Sequence, residues 1–115
     1  MSYMHVDTSN LDMLKDIIGD ELKDLLHIYM ETTSDILLKL QEAITTQSVS
    51  TVELQAHTLK GSAANIGANQ LSMISAELEQ KAKHNDMDSL PGLLSKIETE
   101  SKAVDLALAD YINTF

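Results

Sequence analysis

An all-α fold is what this sequence predicts: an antiparallel up-down four-helix bundle with a short extra helix at its N-terminus. Apolar residues recur at threes and fours along nearly the whole chain, and no stretch alternates apolar and polar as a strand does. Cap and stop residues cut that pattern into one short and four substantial amphipathic segments, which can bury their stripes against one another. With 115 residues and 43% hydrophobic content, the chain can fill one core and has no room for a second domain of ordinary size.

The first helix spans Val6 to Ile18. Asp7 and Ser9 are its capping candidates, Leu11, Leu14 and Ile18 share one face, and Gly19 stops it. Asp20 then caps a long second helix reaching Thr46, with Leu22, Leu25, Leu26, Tyr29, Ile36, Leu37, Leu40 and Ile44 as its stripe, and Thr45-Thr46-Gln47-Ser48 is a polar linker. Ser50-Thr51-Val52-Glu53 has capping-box form, so a third helix is expected to start there and to end at Gly67. Asn69 caps a fourth helix carrying Leu71, Ile74, Leu78 and Ala82. Lys81, Lys83 and His84 load its last turn with cations, and His84-Asn85-Asp86 closes it. Asp88 and Pro91 suit the first turn of a final helix, where proline is tolerated; Leu94, Ile97, Val104, Leu108 and Tyr111 follow, with Ser101 interrupting the apolar spacing. No repeat, low-complexity tract or Pro/Gly-rich linker divides the chain, which reads as a single domain over residues 6–113 with frayed ends.

Charge and composition exclude several function classes. Eight basic residues against 18 acidic give a net charge of −10, and every cation is a lysine. Bidentate arginine recognition is therefore absent, and neither nucleic acid nor an anionic membrane surface suits a chain without a basic footprint. There is no cysteine, hence no disulfide framework and no thiolate chemistry. Residues 1–5 lack a basic and an apolar signal region, and no apolar run approaches the ~20 residues of a membrane span, so the expected location is the cytoplasm.

One residue is out of keeping with its helix. Gly61 lies inside Ala56-His57-Thr58-Leu59-Lys60-Gly61-Ser62-Ala63-Ala64-Asn65-Ile66-Gly67, where glycine costs roughly 1 kcal/mol relative to alanine. At about 100° per residue, His57, Lys60, Gly61 and Ala64 share one face, and Leu59, Ala63 and Ile66 share the other. A histidine beside a cation is thus left open on a surface of low side-chain bulk. Imidazole has an unperturbed pKa near ~6.5, so an exposed His57 can act as a nucleophile at neutral pH without a helper base. Gly61 and Ala64 would let a partner bring a phosphorus atom close to the ring, and Lys60, the only Lys or Arg between Lys39 and Lys81, would balance charge on the transferring group. The chain has no nucleotide-binding glycine loop, no P-loop lysine and no magnesium-like spacing of carboxylates, so the phosphoryl group must arrive already activated.

The run Ala56 to Ala68, followed by Leu71 and by Leu78-Glu79, resembles the signature of histidine-containing phosphotransfer (HPt) domains, and length and helix pattern agree along the whole chain. The resemblance implies a four-helix bundle whose second long helix carries the phosphorylated histidine, here His57, acting in multistep phosphorelays. Lys60 matches the motif lysine, Gly61 the glycine that clears space for a receiver, and Ser62 the small hydroxyl residue beside it. Glu79 falls where many members place a polar residue near the histidine. The implied chemistry is attack of His57 Nε2 on the acyl phosphate of a receiver aspartate, followed by transfer to a second receiver. The implied partners are response-regulator receiver domains and a hybrid sensor histidine kinase, with the magnesium in the receiver, no cofactor of this chain's own, no autonomous kinase activity and a monomeric state. Length and the initial Met1 suit a free-standing protein.

Two other classes compete. A metal-binding bundle could use Glu53 and His57 at i,i+4, but only one histidine lies on that face and Lys60 would repel a cation. An HPt-shaped interaction module without phosphotransfer would be favoured by loss of the histidine, and His57 is present. The remaining candidates have bland readings: His5 as a tail residue, His27 as a solvated or boundary side chain, His84 as a dipole partner, and Met13, Met30 and Met73 as core filling. Glu77 with Glu79, and Glu98 with Glu100, read as solvated faces apart from what the resemblance implies for Glu79.

Overall fold

The computed structural model describes residues 5–115 and is built from five α-helices. They are α1 (Thr8–Ile18), α2 (Glu21–Thr45), α3 (Val49–Asn65), α4 (Asn69–Lys83) and α5 (Leu90–Ile112), with a 3₁₀ turn at Met87–Ser89 before α5. The frayed N-terminal end expected at residues 1–4 lies outside the described residues.

Cross-helix pairs run in opposite sequence directions, so neighbours are antiparallel. Ser72 on α4 reaches Lys60 on α3, and Glu79 reaches back to His57; Gln41 on α2 donates to Glu98 on α5. Around the bundle the order is α2, α3, α4, α5, and α3 and α5 face each other across the diagonal. The centre is a single apolar cluster, with Leu22, Leu26, Leu40, Leu59, Leu71, Leu78, Ile97 and Leu108 all fully buried. Each such side chain contributes roughly 1.5–3 kcal/mol by leaving water. The α3–α4 contact is the most intimate one: α3 turns Ala56 and Ala63 inward alongside Val52 and Leu59, and small residues permit close backbone approach.

Several boundaries differ from the sequence expectation. The N-cap of α3 is Ser48, two residues before the expected capping box; its hydroxyl donates to Thr51 Oγ1 at 2.9 Å, and Ser50 lies within the first turn. Ala68 is the N-cap of α4 and Asn69 its first helical residue, while Asp20 flanks α2 with helical backbone and no side-chain cap bond. Asp7 does cap α1, accepting from the Ser9 amide at 3.0 Å, and the Ser9 donors hold its carboxyl below the usual carboxylate range. Asp88 sits in the 3₁₀ turn, whereas Pro91 is in the first turn of α5. Met13 and Met73 are 63% and 72% exposed and fill no core; of the three expected core methionines, only Met30 packs against it. Leu25 also faces outward, and Ser101 is buried on the inner face of an unbroken α5.

The end of α3 fixes the position of the short first helix. Gly67 adopts φ 82°, with Ala68 N–H bonded to Ala63 C=O at 2.9 Å and Gly67 N–H to Ala64 C=O at 3.1 Å, a Schellman cap. The freed Gly67 carbonyl accepts from the Asp7 amide at 2.9 Å, and Asn10 Nδ2 donates to the Asn65 carbonyl at 3.0 Å. A Cβ at Gly67 would stand 3.0 Å from the Asp7 carbonyl oxygen. Gly61, in contrast, has nothing within 4 Å of where its Cβ would be.

Two substitutions separate these glycines by thermal or urea unfolding. Gly67→Ala should lose more than ~1 kcal/mol, from left-handed backbone strain plus the clash with Asp7. Gly61→Ala should gain up to ~1 kcal/mol. A destabilised Gly61→Ala protein would show that close packing, and not clearance, explains the glycine.

Candidate functional site

The outward face of α3 carries His57, Lys60, Gly61 and Ala64, while Leu59, Ala63 and Ile66 point into the core, as the helical spacing requires. The His57 side chain is 63% exposed. Its Nδ1 lies 2.9 Å from Glu79 Oε2, and Lys60 Nζ donates to Glu79 Oε1 at 2.8 Å. Lys83, one turn beyond Glu79 on α4, places its Nζ 3.8 Å from Oε2. Only 6% of the Glu79 side chain is exposed. Both carboxylate oxygens are therefore engaged, between two lysines and an imidazole.

Protonation at this site follows from the charges. The Lys60 hydrogen bond, helped by His57 and opposed by burial, holds the Glu79 carboxyl below its usual range. An ionised carboxylate only accepts hydrogen bonds, so His57 Nδ1 must carry the proton. In the neutral ring the lone pair is then on Nε2. Two ammonium groups meet the Glu79 carboxylate next to the ring, and Glu53 lines a crevice beside His57.

The expected site residues are not all brought together. Glu79 is buried beneath the imidazole and is no part of a solvated acidic face; Glu77, two residues away, is exposed. Ala64 is exposed on the His57 face. Ser62 lies to one side: its Oγ donates to the Leu59 carbonyl at 3.2 Å, and its side chain lines an apolar groove with Leu14, Leu25 and Ile28. Lys83 joins the cluster although its charge was accounted for by the helix dipole, and its i,i+4 spacing from Glu79 was the available signal. Ser72, also unanticipated, donates to the Lys60 carbonyl at 2.8 Å and pins α4 to α3 at the level of the site. Glu53 lines a crevice beside His57, and among the described residues no three metal-ligating side chains converge.

A second histidine is held in the same way. His5 is not a free tail: its Nδ1 lies 2.8 Å from Oε2 of Glu100, itself only 7% exposed, so Glu100 is no solvated residue either. Among the described ion pairs no lysine joins this one. Comparison of the two pairs isolates what is particular to His57: flanking cations and an uncluttered approach. His27 is exposed on α2, and His84 is the C-cap of α4.

Comparison with known proteins identifies the family and the fold. The Hpt domain family model matches residues 24–113. The phosphorelay protein LuxU of Vibrio cholerae serotype O1 is 30% identical over 83 residues, which are 71% of this chain and 74% of that protein. The crystal structure of histidine-containing phosphotransfer protein B from Pseudomonas aeruginosa PAO1 superposes with a TM-score of 0.95 over 99% of both chains at 25% identity.

The buried carboxylate makes the stability of the α3–α4 pair depend on pH. Because the folded Glu79 pKa lies below its ordinary value of 4.5, its contribution is complete above that value and is lost as pH falls through the lowered one. Chemical denaturation of wild type and Glu79→Gln should give a stability gap that is present above about pH 5.5 and closes progressively below about 4.5. A gap that stays constant into strong acid would show that ionisation of Glu79 contributes nothing.

Proposed function

We propose that this chain, which belongs to the Hpt domain family and is a phosphorelay histidine-phosphotransfer intermediate, carries its phosphoryl group on Nε2 of His57. The observation that supports this assignment most is the Nδ1–Glu79 bond, which orients the ring and leaves the Nε2 lone pair to act as nucleophile.

In the proposed reaction, Nε2 attacks the phosphorus of a receiver aspartyl phosphate in line with the acyl oxygen. The N–P bond forms as the P–O bond breaks, and the aspartate leaves as a carboxylate. The phosphorylated ring, still protonated at Nδ1, is cationic, and Glu79 stabilises it by accepting that proton's hydrogen bond. Reversal toward a second receiver uses the same geometry. Lys60 and Lys83 supply positive charge near the transferring oxygens, although Lys60 is shared with Glu79. Magnesium does not fit this side: the ammonium groups repel it and the Glu79 oxygens are already engaged, so the metal belongs to the receiver. Gly61 keeps open the face over which the receiver approaches.

The partners in this reading are receiver domains and a hybrid sensor histidine kinase, met in the cytoplasm by a monomer. No helix among the described residues is long and apolar enough to cross a membrane.

A receiver charged with acetyl phosphate should transfer acid-labile label to the wild type and none to His57→Gln. His5 should remain unlabelled because its pair has no flanking cation. Label in the variant would overturn the assignment. Lys60→Ala should slow transfer by about tenfold or shorten phosphohistidine lifetime. It should also cost about 1–3 kcal/mol, more than an ordinary surface lysine, because a buried carboxylate loses its nearest donor. Gly61→Gln should fold normally and expose His57 to solvent while transfer from the receiver falls by more than about tenfold; normal transfer would show that the glycine is not an access feature.

A further inference from the structure

A groove away from His57 is not used by the proposed phosphotransfer. It lies between α1 and α5 with a volume of about 550 Å³. Ala103, Leu106 and Ala107 of α5 supply its apolar lining, and Leu106 is 65% exposed, so its side chain is open to a partner. Its carboxylates are Asp12 of α1 and Asp110 of α5; no lining residue is a lysine, and the one histidine, His5, is held by Glu100. Tyr111 OH donates to Asp12 Oδ1 at 2.7 Å and bridges the two helices. Burial first, then the carboxylates of Asp12 and Asp16, push that phenol up to about 12, so Asp16 adds to the negative field at this edge.

An apolar lining with carboxylates beside it matches the cross-section of an amphipathic helix with lysines or arginines flanking its apolar stripe. A second copy of this chain is a poor occupant, because its net charge of −10 would be brought against these carboxylates. We propose that the α1–α5 groove is a docking site for a cationic amphipathic helix of a partner protein, seated on Leu106 beside Asp12 and Asp110. Because α3 and α5 lie across the diagonal of the bundle, such a partner leaves the His57 face free. The domain could then be held at one side while it exchanges phosphate at the other.

The test is a titration of the 15N-labelled protein with a Leu/Lys peptide of about three helical turns, amphipathic in pattern, followed by amide shifts. Saturable binding is expected, with shifts centred on Ala103, Leu106, Ala107 and Asp110. Leu106→Ser, which removes the apolar anchor without changing charge, should weaken it by about tenfold, and Asp110→Lys by a similar factor. A peptide of the same charge with serine in place of leucine should bind at least about tenfold more weakly. Transfer between a receiver and His57 should be unchanged at saturating peptide, and this readout stands apart from the phosphoacceptor assignment. Shifts scattered over the acidic surface, shifts centred on α3, equal binding of the serine peptide or indifference to Leu106→Ser would each overturn the proposal.

Discussion

The buried carboxylate of Glu79 is the constraint on which the functional face depends. An ionised carboxylate withdrawn from water costs several kcal/mol unless its oxygens are met by donors. Here those donors come from α3, in His57 and Lys60, and Lys83 in the next turn of its own helix adds an ion pair at 3.8 Å. Satisfying Glu79 therefore sets the rotation of α4 against α3, selects the imidazole tautomer and restrains a lysine that would otherwise sweep through solvent. Structural and chemical demands meet in one side chain.

The surrounding packing makes that demand easy to satisfy. Ala56 and Ala63 bring α4 close, the Ser72 hydroxyl ties it to the Lys60 carbonyl, and the three-residue connector from Ile66 to Ala68 leaves little freedom in register. The Schellman cap at Gly67 is the hinge of this arrangement, since it both ends α3 and presents the carbonyl that receives the Asp7 amide. The same cap geometry recurs at Gln47 and Asn85, which take φ of 57° and 56°. Turn geometry outranks residue preference at those two positions, and glutamine gives up roughly 1–2 kcal/mol to it.

How much of this was legible in the sequence depends on the distance between interacting residues. Helix number, order and inward faces follow from spacing within each segment, and so does the shared face of His57, Lys60 and Gly61, where an interior glycine is costly enough to be noticed. Starts were less legible: Ser48 and Ser50 are both competent caps, and what distinguishes them is a bond to Thr51 together with the preceding left-handed Gln47. Met13 and Met73 look like core because periodicity locates an apolar stripe but does not reveal whether another helix covers it. Glu100 was the hardest, and Glu79 was placed near the histidine only by the family resemblance, not by its spacing. Their partners are 95 and 22 residues away, and a buried glutamate looks like a solvated one until the second helix is in place.

The diagonal relation of α3 to α5 has a consequence for how the phosphorylated state is read. Exposed charge in physiological salt is screened over about 8 Å, whereas the bundle is 20 Å across its narrowest dimension. A phosphoryl group on His57 would thus alter the local potential over α3 and α4 and be nearly invisible from the far side. On the proposed assignment to His57, the phosphorylated state is a patch of surface charge that is collected by contact, and a signal held in this form is protected from readers that do not dock.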